Sequence, residues 1–507
     1  MKRVGKKSGV PARLAAGAMS TITAAALVAA VWRLPLPADA SEATSRTVQA
    51  AVENNAGVGA LKIRKYDAAI VHLRAARSLD PGNATVLRNL VGALNARARE
   101  AADAGQPADA ERDYLEALDL DPDDQPTIEH AAAFFNNRAV AFMRRQQWDL
   151  ARAYFARTLR YLPRVSDTTV TQQIRVNYAS FLADEGDAFA RADQLQEARA
   201  RYGEALRYDP RNLSARVGLA DLDYDGDEYA AALTRYREAL DLATDPAHAT
   251  LRSAITERVD TLRKEMAIEA DFLTIHDQAG RFRLYFPRDL PPGAAAQVLQ
   301  TLNEAYEKVG RDFDCRPRRA LTVKIYSRSE LTALQQIPPW VVGLFDGKIR
   351  LLDERLLGST AQLRRSIFHE YTHAIIYLRG GDAVPSWLHE GLAQLETPDS
   401  AVTERDIRYV ATRVRTRQAA TLDELSRPFD RNQSGERVSL IYFQSRLLAD
   451  FLLRRGGWEK MRLLLSEAAR RHDFEAAFSA TFGMSTAQME SEWKRGLLER
   501  DDKGPPK

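Results

Sequence analysis

Five times between Gly57 and Pro246 the chain repeats one spacing of small, large and helix-ending residues. A small residue is followed four positions later by an aromatic residue or Leu. Another small residue comes three further on, and a Pro about five beyond that. The segments are Ala69/Leu73/Ala76/Pro81, Ala110/Tyr114/Ala117/Pro122, Ala151/Phe155/Thr158/Pro163, Ala198/Tyr202/Ala205/Pro210 and Ala232/Tyr236/Ala239, where the Pro slips to Pro246. Gly57 takes the small position of the first helix in the first repeat. Small residues let paired helices approach, the large one fills the next groove, and Pro ends the second helix. A helix pair of this kind cannot bury its apolar face alone. The stretch 50–246 is therefore committed to a stacked, all-α array of about five units.

This pattern resembles the tetratricopeptide repeat. Pro81, Pro122, Pro163 and Pro210 lie further apart than the roughly 34-residue unit. Repeats two to four are thus expected to carry insertions, such as Ala104-Gly105-Gln106-Pro107. Residues 247–270 read as a capping and linking helix, with Leu251, Ile255, Val259, Leu262 and Met266 on one apolar stripe. The resemblance implies a surface for a partner protein or peptide. An intramolecular brace for the downstream domain is the other reading.

Near Phe272 the periodicity changes. Phe282–Phe286 alternates and stops at Pro287, which predicts a strand, and Leu321–Tyr326 predicts a second. Residues 293–313 carry helical spacing through Val298, Leu302, Ala305, Tyr306 and Val309. Leu344–Leu351 reads as a hairpin turning at Asp346-Gly347. The composition of 271–497 is that of an α+β domain, and 498–507, ending Gly-Pro-Pro-Lys, that of a solvated tail.

His369-Glu370-Tyr371-Thr372-His373 lies inside this domain. On a helix, His369 and His373 stand one turn apart on the same face, with a carboxylate beside them. Ser359 with Gln362 offers a capping box, and Gly380-Gly381 a stop. Leu363, Ile367, Tyr371, Ala374 and Leu378 form the stripe expected to be buried. His369, His373 and Ile376 fall on another face, which offers the histidines to a cleft. The chain has 8 histidines, and His369, His373 and His389 cluster here. Pro385-Ser386 then starts a helix through Trp387-Leu388-His389-Glu390-Gly391-Leu392-Ala393. A short loop can return Glu390 to the imidazoles, and Gly391 removes a side chain where the two helices must come close.

The two motifs together resemble the gluzincin clan of zinc metallopeptidases, specifically its peptidase MA-like group, over about residues 272–497. The resemblance extends to the Phe345-Asp346-Gly347-Lys348-Ile349-Arg350 hairpin and to helices around Tyr442-Phe443-Gln444-Ser445 and Gly457-Trp458-Glu459-Lys460. It implies one zinc ion held by His369, His373 and Glu390, with an open fourth position. It implies Glu370 as the general base toward a zinc-bound water, and a peptide or protein substrate. The rival third ligand is His389, but a helical step of about 100° keeps neighbours 389 and 390 from both facing the metal. Tyr442 is the candidate to stabilise the oxyanion, against a plain packed aromatic. Relatives place an acid where this chain has Gln394, which would leave a metal-binding imidazole less basic. The strand Lys348–Leu352 is expected to pair with an extended substrate.

The N-terminus is basic to Arg13, apolar from Leu14 to Trp32, and offers a small-x-small site at Ala38-Asp39-Ala40. Residues 1–40 read as a signal peptide or an N-terminal membrane anchor, the one route to membrane contact. The formal net charge of +3 is concentrated there, so the body gives no case for nucleic-acid binding. With Cys315 as the only cysteine, neither an intramolecular disulfide nor a Cys-based metal site can form. The expectation is an exported zinc peptidase of a bacterial periplasm or envelope: an all-α tetratricopeptide solenoid followed by an α+β gluzincin domain. Its rival is an envelope scaffold with a weakly active or inactive zinc domain.

Overall fold

A computed structural model describes residues 38–335, 343–427 and 434–503. The expected export segment to residue 37 and the last four residues lie outside the described part. No helix among the described residues is long and apolar enough to cross a membrane. The chain divides into two compact units, Met1–Ile174 and Arg175–Lys507.

The first unit contains α1 (Ala38–Lys62) with α2 (Tyr66–Leu79), α3 (Ala84–Asp103) with α4 (Pro107–Leu120), and α5 (Gln125–Arg144) with α6 (Trp148–Tyr161). The helix α7 (Thr168–Arg191) contains the division. The second unit continues with α8 (Leu195–Tyr208), α9 (Leu213–Asp225), α10 (Tyr229–Leu242) and α11 (Ala249–Ile268). Every small and large position of the five-fold pattern is buried. The close approach is real: a Cβ on Gly57 would stand 2.6 Å from Leu73 Cγ. In the second unit the Tyr202 ring fills the space left by both Gly186 and Gly218.

The insertions lie elsewhere than expected. Ala104–Pro107 is the turn between α3 and α4, with Gly105 left-handed. The same left-handed turn recurs at Arg64, Gln146, Asp193 and Asp227, so it belongs to every repeat. The extra length sits in the first helices instead: α3 and α5 have 20 residues each, against 14 in their partners α4 and α6.

After α11 the chain forms a five-stranded sheet in the order β1-β2-β3-β5-β4. The strands are β1 (Leu273–His276), β2 (Phe282–Phe286), β3 (Leu321–Tyr326), β4 (Gly343–Phe345) and β5 (Ile349–Leu352). Central β2, β3 and β5 are parallel, while β1 and β4 run antiparallel to their neighbours. Strand β1 has no counterpart in the sequence reading, because four residues show too little alternation. The helices are α12 (Ala294–Asp312), α13 (Arg328–Gln335), α14 (Thr360–Gly380), α15 (Ser386–Glu396), α16 (Glu404–Arg415), α17 (Leu422–Ser426), α18 (Gly435–Arg471), α19 (Phe474–Phe482) and α20 (Thr486–Lys503). Gly457 breaks α18 at a φ of 62°. The tail expected from 498 is still helical to Lys503: Leu497 is buried, and Asp501 and Asp502 pair with Arg415.

Alternation sorts the sheet's side chains onto two faces. Phe282, Leu284, Val323, Ile325, Ile349 and Leu351 join the core with α12 and α14. The opposite face carries Arg283, Thr322, Lys324, Tyr326, Lys348 and Arg350. It is covered by the last repeat and the cap helix. Lys324 Nζ lies 2.7 Å from Glu269. Lys348 Nζ lies 2.6 Å from Asp227, and Arg350 Nη2 2.5 Å from Glu265. Arg350 and Glu265 are 1% and 0% exposed, so each charge persists there only through its partner. The end of the repeat array thus braces the peptide sheet that follows it.

Candidate metal centre

The helix α14 is N-capped by Ser359, whose hydroxyl accepts from the Gln362 N–H, and it ends at Gly381 with a φ of 64°. Of the predicted stripe, Leu363, Ile367, Tyr371 and Ala374 are buried and Leu378 partly so, but Phe368, Ile375 and Ile376 are buried too. A single apolar face underestimates this helix. It packs against α12 and the sheet on one side and against α15 and α18 on the other. His369 and His373 remain partly accessible, with side chains 21% and 15% exposed.

The two Nε2 atoms lie 3.1 Å apart, and the rings meet nearly perpendicular at 88°. From α15, Glu390 brings Oε2 to 3.4 Å from His369 Nε2 and Oε1 to 3.7 Å from His373 Nε2. Among the described residues these three form the cluster able to hold a metal, with donor atoms within 4.8 Å of one another. Ligand atoms set tetrahedrally at zinc-like bond lengths are about 3.3 Å apart. Glu390 Oε2 is buried and makes no hydrogen bond. A buried carboxylate oxygen left unpartnered beside two ring nitrogens fits a missing cation, and the N, N, O donor set suits zinc.

His389 is not in that cluster. Its ring centroid stands 5.7 Å from that of His373, and burial pushes its imidazole down to about 4. It is a partly buried neighbour of His373, outside the cluster. Burial also lowers His373, reinforced by His369 and His389. Burial opposes protonation of His369 too, but the nearby carboxylate of Glu390, with the charge of Glu370 behind it, raises that ring instead. Glu370 is 4% exposed. Its carboxyl is pushed up to about 7 by burial, against the pull of His369 and with the repulsion of Glu390.

Gly391 works differently from expectation. A Cβ there would meet Ser445 O at 2.3 Å and Ala449 Cβ at 2.8 Å, so the close approach is to α18, not to α14. That contact brings α18, and with it Tyr442, to the site. Burial raises the Tyr442 hydroxyl, and the charges of Glu390 and Glu370 raise it further. Gln394, expected beside a histidine, instead donates from Nε2 to the Tyr442 carbonyl oxygen at 3.2 Å. The strand expected to receive substrate, Lys348–Leu352, is interior, paired with β3 and β4. Among the described residues β4 is the sheet edge on that side.

Gly343 on β4 escaped the sequence reading. A Cβ on it would lie 2.8 Å from Glu370 Cγ and 2.9 Å from Oε1, so the edge strand stands directly against that side chain. Nothing local marks this glycine. The docking charges Lys324, Lys348 and Arg350 did leave a signal: three cations on strands of buried type.

Fold and site define a helical-repeat protein with a C-terminal α+β domain built around a His-His-Glu cluster. Comparison with known families agrees. Residues 304–499 match the peptidase MA superfamily, and residues 95–164 and 189–255 match two tetratricopeptide repeat models. The chain carries tetratricopeptide repeats followed by a peptidase MA superfamily domain. No curated protein matches it. Among solved structures, yeast Tom70 is 19% identical at a TM-score of 0.24, covering 44% of this chain and 42% of its own. Pseudomonas aeruginosa PilF is 18% identical at a TM-score of 0.18, covering 44% of this chain and 93% of its own. The chain thus spans under half of Tom70, and the assignment rests on the family models.

Proposed function

We propose that this protein is an exported, zinc-dependent peptidase of the gluzincin type that hydrolyses peptide bonds in a protein or peptide substrate. The observation that carries the reading is the convergence of His369, His373 and Glu390, with Glu390 Oε2 orphaned, beside the buried Glu370. Those three residues would hold the ion. Bound there, zinc would supply a Lewis acid that polarises the scissile carbonyl and makes water a better nucleophile near neutral pH.

The chain's own groups do the rest. An extended substrate can pair with the edge strand β4, which sets its scissile bond beside Glu370. As the water oxygen attacks the carbonyl carbon, a Glu370 oxygen takes its proton. Glu370 then delivers that proton to the leaving amine as the C–N bond breaks. Burial, which raises the Glu370 carboxyl to about 7, suits a group that must both accept and return a proton near neutrality. Tyr442 keeps its proton, because burial and two nearby carboxylates raise its hydroxyl. It can therefore donate to the oxygen that develops negative charge.

One observation favours the scaffold reading. Gln394 is turned to the Tyr442 carbonyl, so no side chain from that position orients a metal-binding imidazole. The test is zinc content and cleavage of casein or a peptide library by the native protein, Glu370→Gln and Tyr442→Phe. The expected result is zinc in all three, kcat down at least about 100-fold in Glu370→Gln, and about 100-fold in Tyr442→Phe. Cleavage surviving Glu370→Gln refutes the mechanism, and zinc without cleavage in the native protein favours the scaffold. Export by the segment 1–40, to a periplasm or envelope, belongs to the proposal, as does a protein partner on the repeats not engaged by the sheet.

A further inference from the structure

The β4–β5 hairpin is held from behind by the repeat array and touches Glu370 in front. Leu344 of β4 is paired with Arg350 of β5, and Gly343 with Leu351. The Arg350 side chain passes to the far face of the sheet. There it meets Glu265 of the cap helix at 2.5 Å, Asp346 of the hairpin turn at 2.9 Å, and the hydroxyls of Tyr326 and Tyr224 at 2.9 and 3.0 Å. Tyr224 also donates to Glu265 at 3.2 Å. The other Glu265 oxygen is buried without a hydrogen bond, so the hydrogen bonds of this acid all run through the oxygen that faces Arg350 and Tyr224. In front, the Gly343 backbone leaves no room for a methyl group against Glu370.

Close-packed contacts transmit displacement, because neither side has space to yield. We propose that Glu265 and Arg350 are positioning residues for the reaction. The cap helix of the repeats, through this pair, sets the height of the β4 edge over Glu370. The tetratricopeptide end is then part of the catalytic unit, and the peptidase domain lacking residues 213–268 is not a working enzyme.

Within the same face, the Lys324–Glu269 pair serves as the control. Its members are 0% and 9% exposed, and it anchors β3, which β5 separates from the edge strand β4. The inference rests on the peptidase reading, so the experiment on the full chain has two readouts. One is kcat and KM on the peptide cleaved by the native protein. The other is hydrogen–deuterium exchange at 343–345 in the zinc-loaded protein. Glu265→Gln is expected to bind zinc as the native protein does, to raise exchange in β4 at least tenfold, and to lower kcat/KM at least tenfold. Glu269→Gln is expected to lower the melting temperature while leaving β4 exchange and kcat/KM within twofold of native. Tyr224→Phe removes two hydrogen bonds and leaves no charge unpaired. It is expected to move both readouts in the direction of Glu265→Gln, and it replaces that variant if Glu265→Gln does not fold. Native β4 exchange in Glu265→Gln and Tyr224→Phe, or equal losses of kcat/KM in Glu265→Gln and Glu269→Gln, overturns the proposal. Should the native protein cleave nothing, the peptidase reading fails, while β4 exchange still decides whether Glu265 positions the edge.

Discussion

Glu370→Gln in the metal-free protein isolates the cost of burying this carboxyl. Its value rises from an ordinary 4.5 to about 7, chiefly through burial. Because the folded-state value lies above that of the unfolded chain, Glu370 contributes fully to stability below about pH 4.5. That contribution is lost as pH rises through about 7, where the buried group must ionise. At about 1.4 kcal/mol per pH unit, the span corresponds to about 3 kcal/mol. Gln has nearly the same shape and no charge, so the variant escapes this loss. Relative to the native protein, it should therefore gain about 3 kcal/mol of stability between pH 4.5 and pH 8. The assay is urea denaturation with a chelator present, followed by tryptophan fluorescence, since Trp387 is 2% exposed and three residues before Glu390. A native-to-variant difference that stays constant within about 0.5 kcal/mol across that range refutes the buried-carboxyl account. A difference growing in the opposite direction would mean that His369 and Glu370 form a stabilising ion pair.

Two further outcomes concern the architecture of the site. Glu390→Gln should weaken zinc binding by more than about 100-fold in competition with a chelator, whereas His389→Gln should weaken it less than about tenfold; the reverse order would make His389 the third ligand. Gly391→Ala must push α15 off the Ser445 carbonyl, which stands 2.3 Å from the added Cβ. The expected cost is about 1–3 kcal/mol of stability, with zinc affinity falling as Glu390 moves, read by thermal melts with and without zinc.

Much of the site was legible because its chemistry is local. His369 and His373 sit one helical turn apart whatever surrounds them, and the Ser359 and Gly381 caps mark the helix that carries them. Glu390 required only a short loop and one turn of a second helix. Where the reading erred, the cause was a neighbour distant in sequence. Ile376 was assigned to an open face because α18, some sixty residues on, is invisible from the motif. Gly391 was assigned to the wrong contact for the same reason. Lys348–Leu352 reads as a substrate edge yet is interior, because strand order within a sheet is not written in strand sequence.

The sequence by itself determined the helix pairs, the hairpin at Asp346-Gly347 and the shared face of His369 and His373. Each follows from spacing along the chain, where the period of a helix or strand decides which side chains share a face. Only the tertiary structure decided the fate of the sheet's second face. The alternation of β2 and β3 reads as one buried face and one wet face, as in many sheets. In the fold, Lys324 and Arg350 are 0% and 1% exposed. Their partners Glu269 and Glu265 come from the end of the repeats, which the sequence reads first as a platform for a partner, with a brace as the alternative. A buried cation is tolerated only where a carboxylate is brought to it, and that pairing spans more than fifty residues of chain. No local period records such a pairing, so the brace became visible only when the two surfaces met.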